Sequence, residues 1–471
     1  MIFSSTLFVF LFLPAFLAFH FLIPKKHRNL FILLASLFFY AWGEHILVLL
    51  MMGSICVNYV FGNLISTYLN RGHEKHSKIF LILGIVINLS VLAYYKYIHF
   101  FIESLKQTGI ELDIDMSEVT LPIGISFFTF QSISYLIDVY RRTVTGQKNL
   151  INLGMYIALF PQLIAGPIVR YADISKEIVK REISLVLFKT GISRFIVGFA
   201  KKVLLANNVG LIADKVFAIA PDDLSTPLAW IGIVCYSLQI YYDFSGYSDM
   251  AIGLGKMLGF NFKENFEHPY ISKSIREFWR RWHISLSSWF KDYLYIPLGG
   301  NKKGKFRTYF NLLIVFFLTG LWHGASWSFV IWGLFHGFFI VIERLGIIKF
   351  QGKLNILSRV YLLLVVIIGW VFFRVSSLED ALRFISKMFS FSSGTDNYPY
   401  LFINNYILTI IVVSITFTMP VKKILSQHFK RIISNEMILN SVKHSFLICI
   451  FILSIMELAQ TTYNPFIYYR F

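Results

Sequence analysis

Charge is what this chain has least of. Asp, Glu, Lys and Arg make up 15% of its 471 residues, against 56% hydrophobic ones. A soluble fold of this length needs far more polar surface, so that class is excluded. Cysteine is nearly absent. Cys56, Cys235 and Cys449 each stand alone in an apolar run, which excludes a disulfide framework or a CxxC metal site and leaves them as small core residues. There is no HExxH, GxSxG elbow or Walker loop, which argues against a zincin, a serine hydrolase of that type and a P-loop enzyme. The twelve histidines are scattered, and no metal site is expected. Acidic residues are scarce beside basic ones, 26 against 44. In a membrane protein that excess belongs to positive-inside loops, and nucleic acid is not a partner it requires.

What is abundant is apolar sequence. Runs of about twenty residues, the length a helix needs to cross a bilayer, recur throughout. They are continuous and not alternating, which argues against a transmembrane barrel. Candidate spans lie at 2–23, 29–44, 47–68, 79–100, 119–140, 150–168, 185–206, 227–248, 309–326, 327–343, 357–373, 404–420 and 445–462. The expectation is an all-α, polytopic helical membrane protein with about 10–13 membrane helices, re-entrant segments included. It reads as a single integral domain over 1–471, with its catalytic core at about 119–345. The first run lacks a basic leader and a small-residue cleavage site, and reads as an uncleaved helix.

Basic clusters set the orientation. Lys25, Lys26 and Arg28 follow the first span, Arg71, Lys75 and Lys78 the third, and Arg141, Arg142 and Lys148 the fifth. All three are expected to be cytoplasmic, with the N-terminus and the acidic stretch 111–118 outside. Residues 150–168 break the pattern, because basic residues flank both ends. A re-entrant hairpin turning near Pro161 resolves the conflict. Residues 378–388 read as an external amphipathic helix.

Two stretches carry chemistry. The first, 309–337, puts His323 and His336 into membrane-grade sequence, where an ionisable group is costly and marks a functional site by default. Each sits in a small-xxx-small frame, Gly320–Gly324 and Gly333–Gly337, of the kind that lets helices approach closely. His323 can serve as a general base on a hydroxyl or thiol, whereas His336 reads as a structural hydrogen-bonding residue. The second stretch, 267–304, has helical periodicity from Ser272. Trp279, Trp282 and Trp289 lie on its apolar side, and Arg276, Arg280, His283 and Ser287 align on an adjoining face. One reading is an interfacial helix on anionic lipid. The other is a cytoplasmic cavity in which Arg276, Arg280 and Lys302 attract the phosphates of a donor such as coenzyme A. Neighbouring arginines would keep His283 neutral. The 243–249 segment, with Ser245, reads as a polar helix break lining a cavity. The small and polar residues of span 119–140 suit packing or a tunnel lining.

Taken together, these motifs resemble the membrane-bound O-acyltransferase (MBOAT) family. The resemblance rests on Trp279-Arg280-Arg281-Trp282-His283-Ile284-Ser285, Asp292 to Asn301, Leu321-Trp322-His323-Gly324-Ala325 and Trp332 to Gly337. Leu121 to Phe127, Gly166 to Arg170, Asp243 to Asp249 and Pro465 to Tyr468 extend it along the whole chain. Within the family the match is to the AlgI-like alginate O-acetylation branch. The resemblance implies a helical bundle with a central funnel, His323 as the essential histidine and His283 as the second polar position, orienting a thioester or supporting an oxyanion. Trp322 is expected to contact substrate. It implies no bound cofactor, acetyl-CoA as acyl donor, and transfer of acetyl groups across a bacterial inner membrane to an exported polysaccharide. The expected partners are a periplasmic SGNH-type acetyltransferase, the polysaccharide acceptor and membrane lipid. Alternatives are D-alanyl transfer to teichoic acid (DltB-like), peptidoglycan O-acetylation, a transporter without chemistry, and a structural partner for an external transferase.

Overall fold

The computed structural model describes residues 2–110, 119–348, 355–391, 398–421 and 435–467. The acidic stretch 111–118 lies outside the described residues. Among those described, every regular element is a helix. Six helical stretches are long and apolar enough to cross a bilayer, and Phe8–Leu22 and Asn405–Phe417 are shorter apolar helices. The all-α membrane architecture expected from hydropathy is therefore present.

Contacts divide the chain into two units. The first comprises Met1–Phe195 with Met250–Lys263, and the second Ile196–Asp249 with Glu264–Phe471. The helices in chain order are α1 (Phe8–Leu22), α2 (Arg28–Glu44), α3 (Val48–Asn70), α4 (Glu74–Gln107), α5 (Ile125–Tyr140), α6 (Leu150–Ala158), α7 (Phe160–Leu163), α8 (Tyr171–Val179), α9 (Leu185–Phe217) and α10 (Thr226–Met257). They continue with α11 (Ile275–Arg281), α12 (Ile284–Phe290), α13 (Gly304–His323), α14 (Trp327–Leu345), α15 (Asn355–Arg374), α16 (Leu378–Phe389), α17 (Asn405–Phe417) and α18 (Glu436–Gln460). The amphipathic helix expected at 378–388 is α16, capped by the Ser377 hydroxyl.

In the first unit, residues 150–168 form a buried hairpin. The helix stops at Leu159, whose ψ of 106° leaves the helical region, and Pro161 is the second residue of the short α7. The first arm and the chain that follows the hairpin meet at one end of α2. Asn29 donates to Asn152 Oδ1 at 2.8 Å and to the carbonyl of Ile178 at 2.9 Å, and Arg181 donates to Asn29 Oδ1 at 2.6 Å. Gln147, before the hairpin, donates to the Tyr171 hydroxyl after it at 2.7 Å. At the tip, the Phe160 amide donates to Ser36 Oγ at 3.2 Å. Ser36 lies seven residues along α2 from Asn29, so the hairpin penetrates about 10 Å before turning back. Because it is buried in protein, its broken backbone is compatible with membrane depth. Arg142 also reaches Glu74 at 3.9 Å, which puts two of the basic clusters at one end of the unit. Two hydroxyls of α5 are used in packing: Lys96 of α4 donates to Ser126 Oγ at 3.0 Å, and Tyr135 Oη accepts from the Gln147 amide.

In the second unit, the 243–249 segment is not a helix break. It lies within the continuous α10. Its carboxylates are paired, Asp243 with Lys202 at 2.7 Å and Asp249 with Lys201 at 2.8 Å. Asp243 also accepts the Ile467 amide at 2.8 Å, tying the chain's last described turn to α10. Of the cysteines, only Cys235 is buried; Cys56 and Cys449 are exposed, contrary to the core placement expected of all three. The periodicity of those two runs marks a helix but not which helix face meets protein.

The tightest helix contact in this unit joins α13 and α14 through the two small-xxx-small frames. A Cβ on Gly320 would lie 2.3 Å from the Phe329 carbonyl oxygen, and one on Gly333 would lie 2.2 Å from that of Phe316. Those oxygens are backbone atoms and cannot swing aside. Gly333→Val is therefore expected to destabilise the protein by about 1–3 kcal/mol or more, seen as a lower melting temperature or lost monodispersity in detergent. Gly53→Ala, where no atom lies within 4 Å, should leave both unchanged.

Candidate active site

The site is assembled in the second unit from four short pieces of chain. The single helix expected from Ser272 onward is broken in two. Helix α11 begins under two caps: Ser274 Oγ accepts from the Glu277 amide at 3.1 Å, and Glu343 of α14 accepts the Ile275 and Arg276 amides at 2.6 and 3.2 Å. Glu277 and Arg281 form the expected i,i+4 pair at 3.0 Å. The helix ends at Trp282, and His283 takes a left-handed conformation, with φ 43° and ψ 54°. For a residue with a side chain this costs of order 1–3 kcal/mol and persists only where surrounding contacts enforce it.

Asn265 provides those contacts. Its carbonyl oxygen accepts the Ile284 amide at 2.9 Å, and its Oδ1 accepts the Ser285 amide at 3.1 Å. The first two orphan amides of α12 are thus satisfied from another part of the chain. The same Oδ1 meets His283 Nδ1 at 3.2 Å and Ser285 Oγ at 2.9 Å, while Asn265 Nδ2 donates to Ser248 Oγ at 3.0 Å. Asn265 did not stand out in the sequence. Nothing in a lone asparagine seventeen residues from Ser248 and eighteen from His283 signals that it joins them.

The break separates residues that an unbroken helix would align. Arg276, Arg280 and Ser287 line a cavity of about 430 Å³, together with Lys273 and Arg344. His283 does not line it; it is fully buried, with its ring 4.5 Å from Phe244 and 6.0 Å from Trp322. Burial pushes the His283 imidazole down to about 3. It is neutral as expected, but because it is desolvated and not because of the nearby arginines. Trp279, Trp282 and Trp289 are also buried, so this segment does not present its tryptophans to a lipid interface.

His323 is the last residue of α13 and is 2% exposed. Its ring stands 5.0 Å from Trp322, 4.9 Å from Trp332 and 5.2 Å from Phe373. His283 and His323 therefore both contact the Trp322 indole. The cavity approaches the same place. Its inner wall includes Phe316, Ile340 and Thr319, and Thr319 is one helical turn before His323 on α13. Lys302 is exposed on the turn before α13 and is not among the cavity's lining residues. His336 has no hydrogen-bond partner among the described residues, contrary to the structural hydrogen bond expected of it. It packs edge-on to Trp279 and Trp332 and against Gly369, where a Cβ would lie 2.7 Å from Nε2. It joins α11, α14 and α15 by shape.

Comparison with known proteins places the chain in a family. Residues 144–378 match the family model of the membrane-bound O-acyltransferases. The chain is 47% identical over 397 residues to a protein of Pseudomonas aeruginosa named probable alginate O-acetylase, covering 83% of this chain and 76% of that one. The chain belongs to the membrane-bound O-acyltransferase family. A peptidoglycan O-acetyltransferase of Helicobacter pylori is 35% identical, over 82% of this chain and 80% of its own. A teichoic acid D-alanyltransferase of Bacillus subtilis is 33% identical over 45% of this chain and 56% of its own. The protein is an O-acyltransferase.

Within this acyltransferase, Glu343 links the cavity wall to the start of α11. Glu343→Ala should leave two amides without acceptors and lower stability by about 0.5–2 kcal/mol, read as a lower melting temperature. Glu343→Gln keeps an acceptor oxygen and should recover most of the loss.

Proposed function

We propose that this O-acetyltransferase takes acetyl groups from acetyl-CoA on the cytoplasmic face of a bacterial inner membrane. It passes them across for O-acetylation of an exported polysaccharide, alginate or a related cell-surface glycan. The observation that carries this reading is the cavity. Lys273, Arg276, Arg280 and Arg344 offer cationic donors for phosphates, while Phe316, Ile340 and Thr319 form an inner wall reaching within one turn of His323. Such a cavity suits a donor with a charged nucleotide end and a slender thioester arm. Lys302, exposed beyond the cavity, adds to the cationic approach.

His323 is the reacting imidazole, either taking a proton during attack on the thioester or carrying the acyl group transiently. Its aromatic surroundings, Trp322 among them, exclude water that would otherwise hydrolyse an activated acyl group. Trp322 contacts the arriving thioester arm. The similarity to a protein named alginate O-acetylase supports acetyl as the group moved and a polysaccharide as acceptor. A periplasmic SGNH-type acetyltransferase is the partner that would place the acetyl group on the glycan.

Two measurements test this. His323→Ala should insert at normal level yet leave the glycan without O-acetyl groups by NMR; acetylation at wild-type level would remove His323 from the chemistry. Arg276→Ala with Arg280→Ala should raise the KM for acetyl-CoA about tenfold or more, since charge-assisted phosphate contacts are each worth about 1.5–3 kcal/mol. With acetyl-pantetheine, which has no nucleotide phosphates, the same variant should match the wild type. Equal losses with both donors would place the arginines elsewhere.

A further inference from the structure

The tautomer of His283 can be read from its surroundings. Ser285 contributes a backbone N–H, which can only donate, and it points at one atom of the Asn265 amide at 3.1 Å. That atom must be the carbonyl oxygen, which fixes the amide's orientation. The other atom, the NH2 group, then faces Ser248 Oγ at 3.0 Å. His283 Nδ1 lies 3.2 Å from the same oxygen and 3.4 Å from Ser285 Oγ, whose own hydrogen is directed to that oxygen at the shorter distance of 2.9 Å; both neighbours then present lone pairs to Nδ1, so Nδ1 carries the hydrogen. A neutral imidazole holds one hydrogen, and Nε2 is left with a lone pair. Nε2 is buried and has no hydrogen-bond partner among the described residues. The left-handed backbone at His283 is a second sign that the chain is held here against local preference.

We propose that Asn265 is a positioning residue that holds His283 in the Nδ1-protonated tautomer, presenting Nε2 as a hydrogen-bond acceptor for a substrate O–H or N–H. This decides between the two roles expected of His283. An oxyanion needs a donor, and a bare Nε2 offers none, so His283 orients the substrate and another group stabilises developing negative charge. Ser248 acts one step further out, keeping the Asn265 amide from rotating. The arrangement follows the general rule that the hydrogen bond at one ring nitrogen sets what the other can do. The proposal rests on the reading of His283 as part of the transfer site.

The test is 15N NMR on full-length, 15N-histidine-labelled protein in detergent or nanodiscs without substrate, with His283 assigned by the resonances lost in His283→Gln. A protonated Nδ1 and a bare, imine-type Nε2 are expected. A protonated Nε2 would overturn the proposal even if acetyl transfer is intact. Because no substrate is present, failure of the acetyl-transfer reading would leave this result standing. A pair of variants adds the functional arm. Asn265→Leu removes the acceptor and should populate the Nε2–H tautomer, with kcat falling about tenfold or more. Asn265→Asp keeps an acceptor oxygen and should retain the wild-type tautomer. Its carboxylate favours the imidazolium, so neutral His283 is lost at higher pH and the acid limb of the activity profile should move up by roughly one unit or more. An unmoved acid limb in folded Asn265→Asp, or a wild-type tautomer in folded Asn265→Leu, would show that Asn265 is only a structural cap.

Discussion

The second unit depends on how a broken backbone is kept satisfied inside protein. A helix that stops at Trp282 and restarts at Ile284 exposes amide groups that would be costly to bury unpaired. Asn265 takes up the first two of them with its own backbone and side-chain oxygens. Glu343 and Ser274 do the same at the start of α11. With those groups satisfied, two seven-residue helices can diverge where one longer helix would run straight. Arg276, Arg280 and Ser287 are left on a cavity, and His283 turns into the aromatic interior beside Trp322.

A second constraint is the close approach of α13 and α14. Only glycine at 320 and 333 lets the two backbones meet. That approach brings Trp332 onto His323, whose other ring neighbours are Trp322 and Phe373. Aromatic pairs of this kind add about 0.5–1.5 kcal/mol each beyond area burial. They also hold the imidazole in a dry setting, which suits acyl chemistry. His336 belongs to the same packing and shares Trp332 with His323.

The first unit meets the same requirement with different parts. Its hairpin stops short in the middle and is surrounded by protein, with Asn29 joining the first arm to the chain after the hairpin and Ser36 holding the tip. The hairpin reconciles basic flanks on both sides with an apolar segment that is too interrupted to cross. Charge distribution alone raised that conflict, and the structure resolves it with hydrogen bonds.

Hydropathy by itself determined the all-α membrane class, because runs of apolar sequence long enough to cross a bilayer admit few other folds. The small-xxx-small frames around His323 and His336 were legible for a similar reason: glycine at that spacing has few uses besides close packing. His323 stood out because an ionisable residue at membrane depth is expensive, and the quoted motifs were specific enough to indicate the acyltransferase family. Periodicity could not show the break at His283, since a tertiary cap from Asn265 overrides local helical preference. Nor could it show that Trp279, Trp282 and Trp289 are buried, that the carboxylates of 243–249 are spoken for by Lys201 and Lys202, or which helix faces carry Cys56 and Cys449. Each of these depends on partners distant in the chain, and a one-dimensional pattern records only neighbours a few residues away. Tertiary structure alone decided which residues share the cavity and that Asn265 caps the chain at His283.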